Sequence, residues 1–189
     1  MRISIVGSGY VGTTVAACFA DLGHDVVNID IDESVVETIT AGDAPIHEEG
    51  LPDLIATHAG PDGTGRLRAT TDYAAVLDTD VTFLCLPTPQ NDDGSIDLSI
   101  MEAGARQLGE TLADAPDWHT VVVKSTVVPG STADTITPTL ETASGKAAGE
   151  GFGVGMNPEF LREGTAVHDF RHPDKVVLGA DDDRARADM

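Results

Sequence analysis

Thiols, aromatic rings and positive charge are all scarce in this chain. Two of its 189 residues are cysteines, Cys18 and Cys85, and only 4% are aromatic. Each cysteine lies inside an apolar stretch, without the paired spacing of metal ligands, so neither a disulfide framework nor a metal site is expected. Both read as core residues rather than thiols beside a base at a strand end, which argues against either as a catalytic nucleophile. Lysine and arginine number 11 against 32 aspartates and glutamates, for a formal charge of −21. Such a surface repels polyphosphate backbones and anionic lipid, so nucleic acid and membrane are not expected as partners. No apolar run is long enough to span a bilayer, and the N-terminal apolar residues belong to a strand and an amphipathic helix rather than a signal peptide; a cytoplasmic protein is expected. The aspartate-heavy composition, with only Lys124, Lys146 and Lys175 as lysines, suits a salt-loving organism in which high salt screens the self-repulsion.

What the chain does have is a regular alternation of strand-like and helix-like segments. Strands are expected at Ile3–Val6, Val26–Ile29, Leu67–Thr70, Val81–Leu86, Thr120–Lys124, Gly153–Met156 and Lys175–Leu178. Helices are expected at Val11–Leu22, Glu33–Ala41, about Leu51–His58, Asp72–Leu77, Leu98–Ala113 and Ser131–Ala143. Ser144–Gly151 reads as a flexible loop, Asn157–Glu163 as a loop or helical turn, and the residues after Leu178 as a charged tail. The length suits one α/β domain, and the alternation implies a doubly wound, mostly parallel sheet of the Rossmann kind.

The most informative run is Gly7-Ser8-Gly9-Tyr10-Val11-Gly12, between the first strand and the first helix. One glycine of such a run makes the tight turn, one lets a pyrophosphate approach the backbone, and one seats the helix on the strand. Asp30, at the end of the second strand, stands where a carboxylate accepts hydrogen bonds from an adenosine ribose. It would repel a 2′-phosphate, and Ile31–Thr40 holds no arginine to receive one, so NAD is expected rather than NADP. A parallel sheet puts all strand C-termini on one edge, so Gly7, Asp30, Thr88, Thr126 and Glu159 should gather along a single crevice. Thr88, Ser125, Thr126, Asn157, Glu159 and Glu163 fall where a nicotinamide and its substrate would sit. For Ser125, Thr126 and Asn157 the competing reading is capping after each strand. For Glu159 it is a surface ion pair with Arg162.

Five motifs in order carry a resemblance. They are the glycine turn, Pro45-Ile46-His47-Glu48-Glu49-Gly50-Leu51, Pro87-Thr88-Pro89 with Asp93-Gly94-Ser95-Ile96-Asp97-Leu98, Lys124-Ser125-Thr126-Val127-Val128-Pro129-Gly130, and Asn157-Pro158-Glu159-Phe160-Leu161-Arg162-Glu163-Gly164. Together they resemble the UDP-glucose/GDP-mannose dehydrogenase family over nearly the whole chain. The resemblance implies an enzyme of polysaccharide biosynthesis that oxidises a nucleotide-sugar C6 alcohol to a carboxylate with two NAD+, through an aldehyde and a thioester on a cysteine. It implies that Gly7, Gly9, Tyr10, Val11, Gly12 and Asp30 hold the adenosine half of NAD, that Thr88 and Thr126 line the nicotinamide, and that Glu163 touches the cofactor near the substrate. It further implies that Glu159, aided by Thr126, positions and activates the water that hydrolyses the thioester, and that Glu159, Phe160, Leu161, Arg162 and Glu163 form one wall of the sugar-nucleotide site.

The chain departs from the family pattern in two respects. Val35 stands where the family usually has a lysine near the ribose. The family's nucleophilic cysteine, its acid and oxyanion partners, the long central helix through which members dimerise, and the nucleotide-sugar domain all lie beyond the span matched here. Residues 1–189 are therefore expected to be an NAD-binding domain, inactive alone, of an enzyme for which UDP-glucose is the leading substrate and a homodimer the expected form. A GDP-mannose or UDP-N-acetylhexosamine 6-dehydrogenase and a non-catalytic NAD-binding regulatory module remain as alternatives. A 6-phosphogluconate-type dehydrogenase would share the glycine turn but not the Pro158–Glu163 motif.

Overall fold

Runs of β-branched and aliphatic residues build the centre of the molecule, which the computed structural model describes over residues 1–189. The chain order is β1 (Arg2–Val6), α1 (Tyr10–Asp21), β2 (Asp25–Ile29), α2 (Glu33–Ala41), α3 (Leu51–His58), β3 (Leu67–Thr70), β4 (Val81–Leu84), α4 (Ser99–Ala113), β5 (Thr120–Val123), α5 (Thr137–Ser144), β6 (Gly153–Met156), α6 (Ala166–Arg171), β7 (Gly179–Ala180) and α7 (Asp183–Asp188). The strands form one sheet in the order β3-β2-β1-β4-β5-β6-β7, parallel except for β7. No helix is long and apolar enough to cross a membrane.

Every residue of β4 and β5 is buried, because both sheet faces are covered. Alternation sorts the side chains. Phe83 and Val122 join Ile3, Ile5 and Val15 in one core, with α1 and α3, while Leu84, Val121 and Val123 join Met101, Leu108, Ile136 and Leu140 in the other, with α4 and α5. Local chemistry sets the ends of the helices. The Asp32 carboxylate accepts from the Ser34 N–H at 2.9 Å to start α2, and Gly42, at φ 90°, ends it.

Several expected elements differ in detail. Asp72–Leu77 is a tighter 3₁₀ helix, Tyr73–Asp78, and the helix expected from Ser131 opens with a π turn over Thr132–Ile136. The final strand is not Lys175–Leu178. That apolar run tempts a strand reading, yet pairing falls further on, at Met156↔Gly179 and Gly155↔Ala180, and antiparallel. Val176, Val177 and Leu178 stay exposed. The charged tail folds into α7, started by Asp182, whose carboxylate accepts from the Ala185 N–H at 2.7 Å. Within Ser144–Gly151, Lys146 Nζ donates to the carbonyls of Leu112 and Ala115, at 2.7 and 2.6 Å, tying the loop to the C-terminal end of α4.

Candidate dinucleotide and catalytic site

The turn between β1 and α1 is shaped by close approach. Gly7 has φ 98°, and a Cβ there would lie 2.5 Å from the Cys85 carbonyl oxygen; a Cβ on Gly12 would lie 1.8 Å from the Gly7 oxygen. Both glycines are thus required by the protein's own packing. Gly9 is different: it is exposed, its backbone is extended (φ −70°, ψ −166°), and a Cβ built on it meets nothing within 4 Å. The missing side chain at Gly9 serves no intramolecular contact and leaves room for a ligand over the helix N-terminus. No side chain caps α1 and no acidic residue lies in its first turn, so its leading N–H groups and dipole face that space.

Beside the turn lies a cleft of about 200 Å³, whose walls include Val6, Ile29, Tyr73, Leu86 and Gly104 with Asp30 at its rim. Its lining holds no lysine or arginine. The Asp30 carboxylate accepts from the backbone N–H groups of Ser8 at 2.5 Å and Asp32 at 3.0 Å, which fixes it against the glycine turn. Burial, and then the nearby Asp30 charge, push the Tyr73 phenol up to about 12, so it stays a neutral wall. An apolar slot with a carboxylate rim fits an adenosine, and the open strip over Gly9 fits a pyrophosphate.

A second recess, about 550 Å³, lies on the α1 side of the sheet and is walled by Phe19, Phe83, the Asn157–Arg162 run and residues of the His168–Val176 segment. Lys124 and Glu159 line it. Lys124 Nζ lies 3.0 Å from Glu159 Oε2, with the side chains only 9% and 10% exposed. That contact is a Coulombic pairing rather than an aligned hydrogen bond, whereas Glu159 Oε1 accepts from the Leu161 N–H.

Gly7 and Asp30 line the smaller recess and Glu159 the larger, with no lining residue in common. Val11 and Tyr10 open α1, whose Val15 and Phe19 face the larger recess. Thr88 and Thr126 lie outside both linings; the Thr88 hydroxyl donates to the Thr126 carbonyl at 2.8 Å, joining the loops after β4 and β5. Phe160, Leu161 and Arg162 line the larger recess, but the exposed Glu163 does not. Arg162 does not pair with Glu159. Its Nε and Nη2 grip Asp169 at 3.0 and 2.7 Å and hold that carboxyl well below the usual range. Ser125 and Asn157 tie strands and loops rather than cap helices: Ser125 donates to the Leu86 carbonyl at 2.6 Å and Asn157 to that of Val177 at 3.0 Å.

Two residues take on a different meaning in the fold. Lys124 is absent from the site residues expected from sequence; the signal for it is an ammonium at the end of an otherwise apolar strand, which demands a partner. Cys85 falls mid-strand in the sequence pattern, but β4 ends at Leu84, so Cys85 sits at the strand end, within electrostatic reach of Lys124 and Glu159. Burial pushes its thiol up to about 12, as it does that of Cys18, which disfavours the thiolate that a nucleophile needs.

A parallel sheet, a glycine turn at a helix N-terminus and a carboxylate at the end of the second strand define a dinucleotide-binding domain of the dehydrogenase type. Residues 1–189 match the UDP-glucose/GDP-mannose dehydrogenase family, NAD binding domain, and the chain belongs to that family. It is 64% identical over 185 residues to UDP-glucose 6-dehydrogenase AglM of Haloferax volcanii, a match covering 98% of this chain and 42% of that protein. It is 45% identical over 180 residues to GDP-mannose 6-dehydrogenase of Pseudomonas aeruginosa, covering 95% and 41%. Among solved structures, a ternary complex of GDP-mannose dehydrogenase from Pseudomonas aeruginosa superposes with a TM-score of 0.95 at 44% identity, over 99% of this chain and 42% of that one. A UDP-glucose dehydrogenase from Pyrobaculum islandicum gives 0.91 at 42% identity, over 98% and 42%. The chain thus spans about two-fifths of the length of these relatives.

Proposed function

We propose that this chain supplies the NAD-holding half of a nucleotide-sugar 6-dehydrogenase that converts UDP-glucose to UDP-glucuronate in the cytoplasm. The observation that carries the proposal is the adjacency, across α1, of an open glycine turn and a loop bearing a buried carboxylate, Glu159. The 64% identity to UDP-glucose 6-dehydrogenase AglM favours UDP-glucose; the 45% identity to GDP-mannose 6-dehydrogenase makes GDP-mannose the second candidate.

In this reading, bound NAD+ supplies the hydride acceptor. Gly9 and the N–H groups of the first turn of α1, with Val11, would receive the pyrophosphate, and Asp30 would accept hydrogen bonds from the ribose hydroxyls. Thr88 and Thr126, joined to each other, support the nicotinamide edge, with Glu163 nearby. Glu159 and the Thr126 hydroxyl orient the hydrolytic water, and Glu159 takes up its proton. Lys124 anchors Glu159 by charge pairing in a recess where an isolated carboxylate would lack a partner. Phe160, Leu161 and Arg162 form the substrate wall. Cys18 and Cys85 are unavailable, so the thiol nucleophile must come from outside these 189 residues.

The test is complementation. The chain, mixed with the downstream part of a UDP-glucose 6-dehydrogenase relative, should form two NADH for each UDP-glucose consumed, and neither part should do so alone. Preference for GDP-mannose would shift the substrate assignment. Saturable NAD+ binding with no turnover on any nucleotide sugar would favour a regulatory module instead.

A further inference from the structure

Glu48 is a buried carboxylate with no cation beside it. It is 1% exposed and lies in the Pro45–Leu51 segment between α2 and α3, to which neither the cofactor nor the substrate reading assigns a role. Its two oxygens reach across to the far end of the chain. Oε2 accepts from the Gly164 N–H and Oε1 from the Ala166 N–H, both at 2.8 Å. The Gly164 N–H is shared: the Tyr10 hydroxyl also accepts from it at 2.8 Å and points toward the Arg162 carbonyl at 3.5 Å. Tyr10 is the first residue of α1, inside the glycine turn.

Gly164 closes the 159–164 loop, so one backbone N–H joins the dinucleotide turn, the Pro45–Leu51 segment and the substrate wall. A carboxylate accepting two main-chain hydrogen bonds out of water makes a strong, directional tie. We propose that Glu48 and Tyr10 are positioning residues that hold the 159–164 loop in register with the dinucleotide turn, so that Glu159 reaches the hydrolytic water at the correct height. This rests on the 159–163 loop being the substrate wall. Its chemistry is geometric: neither side chain touches the reacting atoms.

The test uses Glu48→Gln and Tyr10→Phe. In the intact chain, hydrogen–deuterium exchange should show the Gly164 and Ala166 amides protected, and about 10- to 100-fold faster in Glu48→Gln, where an amide NH₂ opposes one of the two N–H groups. Tyr10→Phe, which removes only an oxygen and guards against misfolding of the first variant, should speed Gly164 but not Ala166. In the complemented dehydrogenase both variants should lower kcat, and Glu48→Gln, which lies outside the cofactor-holding residues, should do so by about 10²-fold with KM for NAD+ within twofold of the parent. A purely structural tie would leave kcat unchanged once the protein is folded, and that result overturns the proposal. Equal exchange at Gly164 and Ala166 in parent and variants also overturns it. If the complemented parent is inactive, the functional reading fails instead. The proposal is then decided on the chain alone, by whether NAD+ slows Gly164 exchange in the parent and not in Tyr10→Phe.

Discussion

Replacing Lys124 with methionine should damage this protein far more than removing both members of its ion pair. The ammonium and the Glu159 carboxylate lie 3.0 Å apart with about a tenth of each side chain exposed. Deleting one charge leaves the other buried and unpaired, at a cost of about 3–5 kcal/mol, whereas replacing both with neutral groups of similar volume is close to neutral. For a domain of this size that corresponds to a fall in Tm of about 10 °C for Lys124→Met. Lys124→Met/Glu159→Gln should recover most of it, because the carbonyl of the introduced glutamine still accepts from the Leu161 N–H. Urea unfolding followed by circular dichroism, in molar KCl, would measure all four corners of the cycle. Salt screens a buried pair little, so the coupling should exceed about 2 kcal/mol even there. Additive single costs would refute the pairing and with it the anchoring of Glu159 by Lys124.

Other outcomes follow from the same structure. His119 is buried in a chain of hydrogen bonds, its Nε2 2.7 Å from the Thr82 hydroxyl and its Nδ1 3.2 Å from the Thr79 carbonyl, and burial lowers it to about 4. The unfolded chain therefore binds more protons between about pH 6.5 and 4, so this contribution is fully present above about pH 6.5 and is lost as pH falls toward 4. About 2 kcal/mol should go between about pH 7 and pH 5, a slope absent from the unfolding free energies of His119→Gln. Asp30→Ala should weaken NAD+ binding about 10- to 100-fold by calorimetry while NADP+ gains relative to it; equal losses for both would remove Asp30 from the ribose. With a formal charge of −21, the thermal midpoint should rise between dilute buffer and molar KCl, and equal midpoints would contradict salt adaptation.

The sheet was legible because its signals are local. Val121-Val122-Val123 and the glycine turn declare strand and bend within a few residues, and Gly42 ends α2 where the sequence places it. What escaped depends on distant partners. The six residues of α6 carry no readable period, and the segment is held by Glu48 from the other end of the chain and by Arg162 on Asp169. The two-residue β7 pairs antiparallel at a sheet edge, where register is set by neighbours rather than by the Lys175–Leu178 run. Of the candidate site residues, Asp30 and Glu159 could be placed on one edge of the sheet from strand ends alone, since topology fixes that edge. For Lys124 the sequence shows only an ammonium at the end of an apolar strand; its partner, Glu159, appears when β5 and β6 lie side by side.

The central claim is that the turn after β1 is a dinucleotide cradle and not an ordinary strand-to-helix bend. Gly9 separates the two, since its side-chain position is open to solvent and its backbone is one that any residue adopts. Gly9→Val should therefore fold with a loss of no more than about 1 kcal/mol. Calorimetric titration with NAD+ should show saturable binding to the parent chain and a loss of about 10²-fold or more in the variant, because the valine methyls occupy the path of the pyrophosphate. Undiminished NAD+ binding by a folded Gly9→Val protein would contradict the account.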